Sequence, residues 1–230
     1  MILQRYDSAA LAAAALAEQI VAALRIGLSW RGAASLAVPG GRTPVALFRA
    51  LRDAELDWAK VTITLTDERW VPESHPSSNA ALVRAELLQN RAGAARFVPL
   101  YNGAPDAISA TSQVWESLRA APRPFDAVVL GMGEDGHFGS LFPEDPGLAA
   151  ALDVKAAPAC VAMHAPVNPT ERISLNLAAF LQSRRVFLLV SGETKRELLL
   201  AAARREAGAH WPVTKLLAQP RPMPEVYWSP

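Results

Sequence analysis

The sequence predicts an α/β protein: a mostly parallel, doubly wound sheet with helices on both faces, built by one domain over residues 1–230. Three observations predict it. Apolar, β-branched runs alternate with helical patterns along the whole chain. Several of these runs are apolar at nearly every position, as in strands covered on both faces. The chain of 230 residues shows no repeat, low-complexity tract or linker, and is long enough for a sizeable core.

Leu16, Ile20, Ala23 and Leu24 recur at helical spacing, so the first segment reads as an amphipathic helix. "ASLAVPGG" (34–41) reads as a short strand ending in a Gly-rich turn. "TPVALFRAL" (43–51) follows as a helix, with Pro44 suited to its first turn. "VTITLTDER" (61–69) is β-branched and predicts one strand. Ser77 or Ser78 caps a helix through "NAALVRAELLQN". "RFVPLY" predicts a short strand and residues 106–121 a helix, with the Pro-rich "APRPFD" (121–126) as a connection. "FDAVVLG" (125–131) is the clearest buried strand, and "CVAMHAP", "RISLNL" and "RVFLLVSG" are three further strands. "ETKRELLLAAARREA" (193–207) predicts a helix, and "PEVYW" a strand at the sheet edge.

Composition narrows the function classes. With 23 basic and 22 acidic residues and no cluster of either, the chain lacks the footprint of a nucleic-acid binder. Its one cysteine, Cys160, rules out a disulfide framework and reads as a small buried residue. Arg5, Asp7, Glu18, Gln19 and Arg25 interrupt the apolar N-terminal run, which predicts neither a signal peptide nor a bilayer span. A cytoplasmic protein, monomer or homodimer, is the expectation. His75, His137, His164 and His210 show no metal-ligand spacing, and no G-x-S-x-G elbow is present. A zinc or iron site is therefore not expected.

In an open α/β sheet, ligands bind beyond the carboxyl ends of the strands. Four polar segments fall there: "PGGRTP", "TDERW", "GMGEDGH" and "SGETK". Gly131 to Gly136 spell G-x-G-x-x-G, the pattern of a dinucleotide turn. The context excludes that reading: Pro143, Pro146 and Gly147 oppose the long helix that must follow, and "CVAMHAP" ends without an acid. Glu134 and Asp135 would also repel a pyrophosphate. These glycines instead allow a sharp turn that presents two acids and His137 at a strand end. His137 suits a general base, oriented by Asp135 or Glu134. Gly40, Gly41, Arg42 and Thr43 form a turn whose N–H groups and following helix suit a monophosphate, although a plain strand-to-helix turn would read the same. Lys195 stands in a first helical turn, which is unfavourable for a lysine unless an anion is bound nearby, although a solvated surface lysine would read the same. Arg172 could add a second cation. Asp67, Glu68 and Arg69 gather at another strand end, as catalytic groups or as a surface ion pair.

These stretches together resemble the glucosamine-6-phosphate isomerase/6-phosphogluconolactonase family. The matching segments are "VPGGRTPVALFRAL", "TDERWVPESHPSSNAALVRAELL", "FDAVVLGMGEDGHFGSLFP", "PTERISLNL" and "LLVSGETKRELL", in the family's order from about residue 36 to 200. Two positions depart from the pattern: Phe138-Gly139 replaces a common Thr-Ala, and "FPED" stands where a glycine often follows the proline. The resemblance implies a Rossmann-like layout without a nucleotide. It implies cofactor-free hydrolysis of a sugar-phosphate lactone, 6-phospho-D-glucono-1,5-lactone. His137 would be the base, Arg69 would stabilise oxyanion or substrate oxygens, and Asp67 would be a second polar partner. Gly40, Gly41, Arg42, Thr43, Arg172 and Lys195 would hold the phosphate. The main alternative is the deaminase/isomerase branch acting on an amino-sugar phosphate. That branch carries "MDEY"-like sequence where this chain has "TDERW". A sugar-phosphate sensor would need a helix-turn-helix, for which only about 30 residues precede the first expected strand. A scaffold role beside a pathway dehydrogenase is a further alternative.

Overall fold

The computed structural model describes residues 1–206 and 210–230. Its ten strands are β1 (Ile2–Arg5), β2 (Ala34–Val38), β3 (Val61–Leu65), β4 (Asp67–Arg69), β5 (Arg96–Val98), β6 (Ala127–Leu130), β7 (Cys160–His164), β8 (Glu171–Leu175), β9 (Val186–Ser191) and β10 (Glu225–Ser229). The α-helices are α1 (Ala9–Arg31), α2 (Val45–Arg52), α3 (Asn79–Glu86), α4 (Ala107–Leu118), α5 (Leu148–Ala151), α6 (Leu177–Leu181), α7 (Glu193–Arg204) and α8 (Pro212–Leu217).

Seven strands form one sheet in the order β1-β10-β9-β6-β2-β3-β5. Every pairing in it is parallel. Strands β2, β3, β6 and most of β9 are buried along their length, which is why their sequences do not alternate. From β2 the chain winds outward through β3 to β5. It then returns to the other side of β2 with β6 and winds outward again through β9. The order therefore reverses between β2 and β6, and a crevice opens there at the carboxyl ends of the strands.

Several expectations are corrected. The segment "VTITLTDER" is two strands: the chain turns at Thr66 and leaves the parallel sheet. Strand β4 then joins a separate antiparallel sheet of order β4-β8-β7. "RISLNL" and "CVAMHAP" belong to this small sheet. Thr66 is the junction, since its N–H donates to Val38 of β2 and its carbonyl accepts from Leu175 of β8. Strand β1 was not foreseen. It covers β10, so "PEVYW" is an inner strand and β1 the edge. Helix α7 ends at Arg204, and residue 207 of its expected span lies outside the described residues.

Helix ends follow local chemistry. Ser8, Ser78, Asp106 and Asn176 each accept a backbone N–H of the first turn of α1, α3, α4 and α6. Gly32 ends α1 in the left-handed region at φ 70°, where a side chain would be strained. Helix α1 is long and apolar enough to cross a membrane, against the expectation that charges break it. Its face of Ala12, Leu16, Ile20, Ala23 and Leu24 is instead buried against β2, β6, β9 and β10, and Glu18 and Arg25 face outward. One continuous core holds side chains from both sheets, Ile173 and Leu175 of β8 together with Val129 and Leu130 of β6.

Candidate active site

A cavity of about 310 Å³ lies at the point where the strand order reverses. The turn after β2 supplies Gly40, Gly41, Arg42 and Thr43 to its wall. Strand β4 supplies Asp67 and Arg69, the loop after β6 supplies Gly131, Gly133 and His137, and the start of α7 supplies Lys195. Eight of the sequence-predicted residues thus meet in one hollow, although they are spread from position 40 to 195.

The phosphate turn is built by its glycines. Gly41 has φ +86°, open to glycine and strained for other residues. Gly40 passes so close to the Asn79 amide that a Cβ there would overlap it. The backbone N–H groups of Gly40, Gly41, Arg42 and Thr43 donate to no described backbone acceptor, so they are free to meet an anion. Lys195 lines the same hollow from the first turn of α7.

On the opposite wall the loop after β6 aims a histidine. Asp135 Oδ1 lies 2.5 Å from His137 Nδ1 and accepts the backbone N–H of His137 at 3.1 Å. An ionised carboxylate only accepts, so Nδ1 carries the proton and Nε2 keeps a free lone pair. Burial pushes the Asp135 carboxyl up, but the His137 ring and N–H outweigh it and hold the group below the usual carboxylate range. The His137 ring packs on Phe142 at 4.5 Å between centroids. Gly133 permits this: a Cβ there would overlap both the His137 ring and Asp135. Gly136, at φ +76°, presses on Trp211, whose neighbour Val213 donates to the Gly136 carbonyl. Of the two acids considered for orienting the ring, Asp135 makes the contact. Glu134 is exposed and lies outside the cavity.

The "TDERW" acids divide their work. Asp67 Oδ2 accepts from Ser140 at 2.6 Å and Oδ1 from Thr66 at 3.1 Å, which fixes the carboxylate. Glu68 is fully buried and accepts the N–H groups of Arg69, Asn79 and Ala80 and the Ser78 hydroxyl. It is a structural anchor for α3 and not a surface acid. Burial raises its pKa, and the three backbone N–H groups pull it partly back. Arg69 donates through Nη1 to the Ser77 carbonyl at 2.8 Å and presents the rest of its guanidinium near the cavity.

Arg172 stands on β8, where it pairs with Arg69 across β4 and β8 and is only 4% exposed. Its Nε is buried without a partner among the described residues. Burial, helped by the Arg69 charge beside it, lowers its pKa to about 10. A second hollow adjoins the site on the far side of Asp135 and is lined by Phe142, His164 and Trp211 among others. No metal-binding cluster of His, Cys, Asp and Glu occurs among the described residues.

Sequence reasoning missed Asn79, Ser140 and Phe142. Asn79 reads in sequence as a helix start after a serine cap. Only the turn at Thr66 brings it beside Gly40 and Asp67.

Known proteins share the sequence and fold of this chain. The family described as glucosamine-6-phosphate isomerases/6-phosphogluconolactonase matches residues 7–228. A 6-phosphogluconolactonase of Pseudomonas aeruginosa is 42% identical over 228 residues, covering 99% of this chain and 94% of the relative. One of Mesorhizobium japonicum is 43% identical over 219 residues, covering 95% of this chain and 91% of the relative. The crystal structure of a 6-phosphogluconolactonase from Shewanella baltica superposes with a TM-score of 0.93 at 41% identity, covering 100% of this chain and 98% of that one. With the family matched across nearly its whole length and the fold shared throughout, this chain belongs to the glucosamine-6-phosphate isomerase/6-phosphogluconolactonase family.

Proposed function

We propose that the protein hydrolyses 6-phospho-D-glucono-1,5-lactone to 6-phospho-D-gluconate, without a metal or organic cofactor. The observation that carries the reading is the pairing of two features in one cavity: a turn of free N–H groups beside Lys195, and a histidine held by Asp135 with Nε2 free. The relatives named above as 6-phosphogluconolactonases, at about 40% identity over nearly the whole chain, support it.

In this reading the 6-phosphate sits on Gly40, Gly41, Arg42 and Thr43, with Lys195 neutralising its charge. Anchoring the phosphate fixes the ring and places the lactone carbonyl toward His137. Nε2 of His137 takes a proton from water as the water oxygen attacks the carbonyl carbon. The carbonyl oxygen becomes an oxyanion, which Arg69 stabilises. The oxyanion then collapses, the bond to the ring oxygen breaks, and His137 returns the proton to that oxygen. Asp67, already held by Ser140 and Thr66, keeps the Arg69 side of the cavity in register. Arg172, paired with Arg69 across β4 and β8, adds positive charge to this side of the site and is a second cation for the phosphate.

The test is the loss of freshly generated lactone, followed with a coupled 6-phosphogluconate dehydrogenase in the presence of chelator. Acceleration over the spontaneous rate is expected, and His137→Gln should lower it by about 10²- to 10⁴-fold. Full activity in that variant would remove the base assignment. Release of ammonia from glucosamine 6-phosphate, with no lactone hydrolysis, would move the protein to the deaminase branch.

A further inference from the structure

The cavity wall between the phosphate turn and the acid strand is made by Asn79, a residue with no role in the chemistry described so far. It is 3% exposed, yet its side chain lines the cavity. Its amide is locked from three directions. The backbone N–H donates to Glu68 Oε1 at 2.8 Å. The side-chain Nδ2 donates to the Asp67 carbonyl at 2.9 Å. The amide face rests on Gly40, which has no room for a Cβ there.

The Asp67 carbonyl can only accept a hydrogen bond, so the amide nitrogen must face it. The oxygen is thereby turned toward Gly40 and the hollow, and Oδ1 accepts no hydrogen bond from a described residue. Oδ1 is not among the side-chain atoms buried without a partner, so it opens onto the hollow, where a bound molecule can reach it. A sugar phosphate bound between Thr43 and His137 carries several hydroxyl donors past this wall.

We infer that Asn79 Oδ1 is a specificity-determining acceptor for one ring hydroxyl of the substrate, preorganised by the Asp67 carbonyl and by Gly40. The assignment rests on the sugar-phosphate seat proposed above. A rigid acceptor matched to a hydroxyl discriminates strongly against an analogue lacking it, because the acceptor is then left buried and unpaired.

The experiment measures kcat/KM for the parent lactone and for its 2-deoxy, 3-deoxy and 4-deoxy forms, with wild-type protein and Asn79→Ala. In parallel, calorimetry measures binding of 6-phosphogluconate and the matching deoxy acids. One deoxy form should lose about 10- to 100-fold with wild type. Asn79→Ala should lose a similar factor on the parent, and little more on that same deoxy form. Wild-type values within about threefold for all three deoxy forms would overturn the assignment, whether or not the variant folds. Losses that multiply independently for variant and every deoxy form would overturn it too, leaving Asn79 a merely structural clamp. Discrimination in binding without hydrolysis would count against the lactonase reading alone. Hydrolysis without discrimination would count against Asn79 alone.

Discussion

At the scale of single residues, the chemistry depends on small distances around His137. Asp135 sets the tautomer of the ring, so Asp135→Asn should lower kcat on the order of 10²-fold, with KM little changed. An asparagine can turn its NH₂ to the ring, which favours the wrong tautomer. Because Asp135 is held below the usual carboxylate range, its contact with His137 is fully present above that range. It is lost only as pH falls through the depressed value. Steady-state kcat and KM of wild type and Asp135→Asn, compared at a pH above the ordinary carboxylate range, would check this. Gly133 is the second such residue. Gly133→Ala should displace the ring and cost activity well before it costs the fold, because a Cβ meets His137 and Asp135 and not the core. Rates and thermal midpoints measured together would separate the two effects. A variant as active as wild type would show that the loop can shift around the methyl group.

Between residues and the whole, the decisive element is helix α3 with the short strand β4 that precedes it. Glu68 holds the helix start by accepting three backbone N–H groups and one hydroxyl, all buried or partly buried. Glu68→Gln puts an NH₂ where an acceptor is needed and should cost about 1–3 kcal/mol. The pH dependence has a definite sign. Burial raises the folded-state pKa of Glu68 above its ordinary value. The folded chain therefore holds an extra proton between the two values. The stabilising effect is full below the unfolded pKa and falls as pH rises through the folded one. Urea titrations across that window should find the gap between wild type and Glu68→Gln narrowing as pH rises. A widening gap would refute the raised pKa. The same element explains why "VTITLTDER" could not be divided by eye. Its β-branched pattern runs through the turn at Thr66, and only the bonds to Val38 and Leu175 show where one sheet hands over to the other.

For the molecule as a whole, the two ends of the parallel sheet have separate tasks. The carboxyl ends carry the cavity, and the amino ends carry a buried ion network. Asp126, fully buried just before β6, accepts from Arg31 at 2.6 Å and from the Ser35 N–H at 2.9 Å. Arg184 stands 3.5 Å from its other oxygen. Burial raises the Asp126 pKa, and the Ser35 N–H and the two arginines only partly offset it. Asp126→Ala strands two arginines and an N–H, and should cost about 3–5 kcal/mol of stability. Since the network lies a strand's length from His137, kcat/KM measured below the lowered melting temperature should equal that of wild type. A fall in kcat/KM without a fall in stability would show that the two ends are coupled.

By itself the sequence determined the parallel α/β class, the positions of most elements and the loops that carry chemistry. These are local properties. Apolar runs, capping serines and glycine turns act over a few residues, so they can be read in order along the chain. "PGGRTP", "TDERW", "GMGEDGH" and "SGETK" were legible as strand ends for that reason, and eight of the predicted residues meet in the cavity. Tertiary structure alone decided what depends on distant partners. Strand β1 is four residues long and gains its bonds from β10, more than two hundred positions away, so nothing near it signals a strand. Strand β8 is as buried as the strands of the parallel sheet, so its apolar run gave no sign of antiparallel neighbours. Asp135 was separated from Glu134 by the φ +76° turn at Gly136 and the close pass at Gly133, and Arg172 was set opposite Arg69 by its strand register. Asn79 became part of the site only because the chain turns at Thr66. Register and long-range approach are set by packing the whole core at once, and no short stretch of sequence contains them.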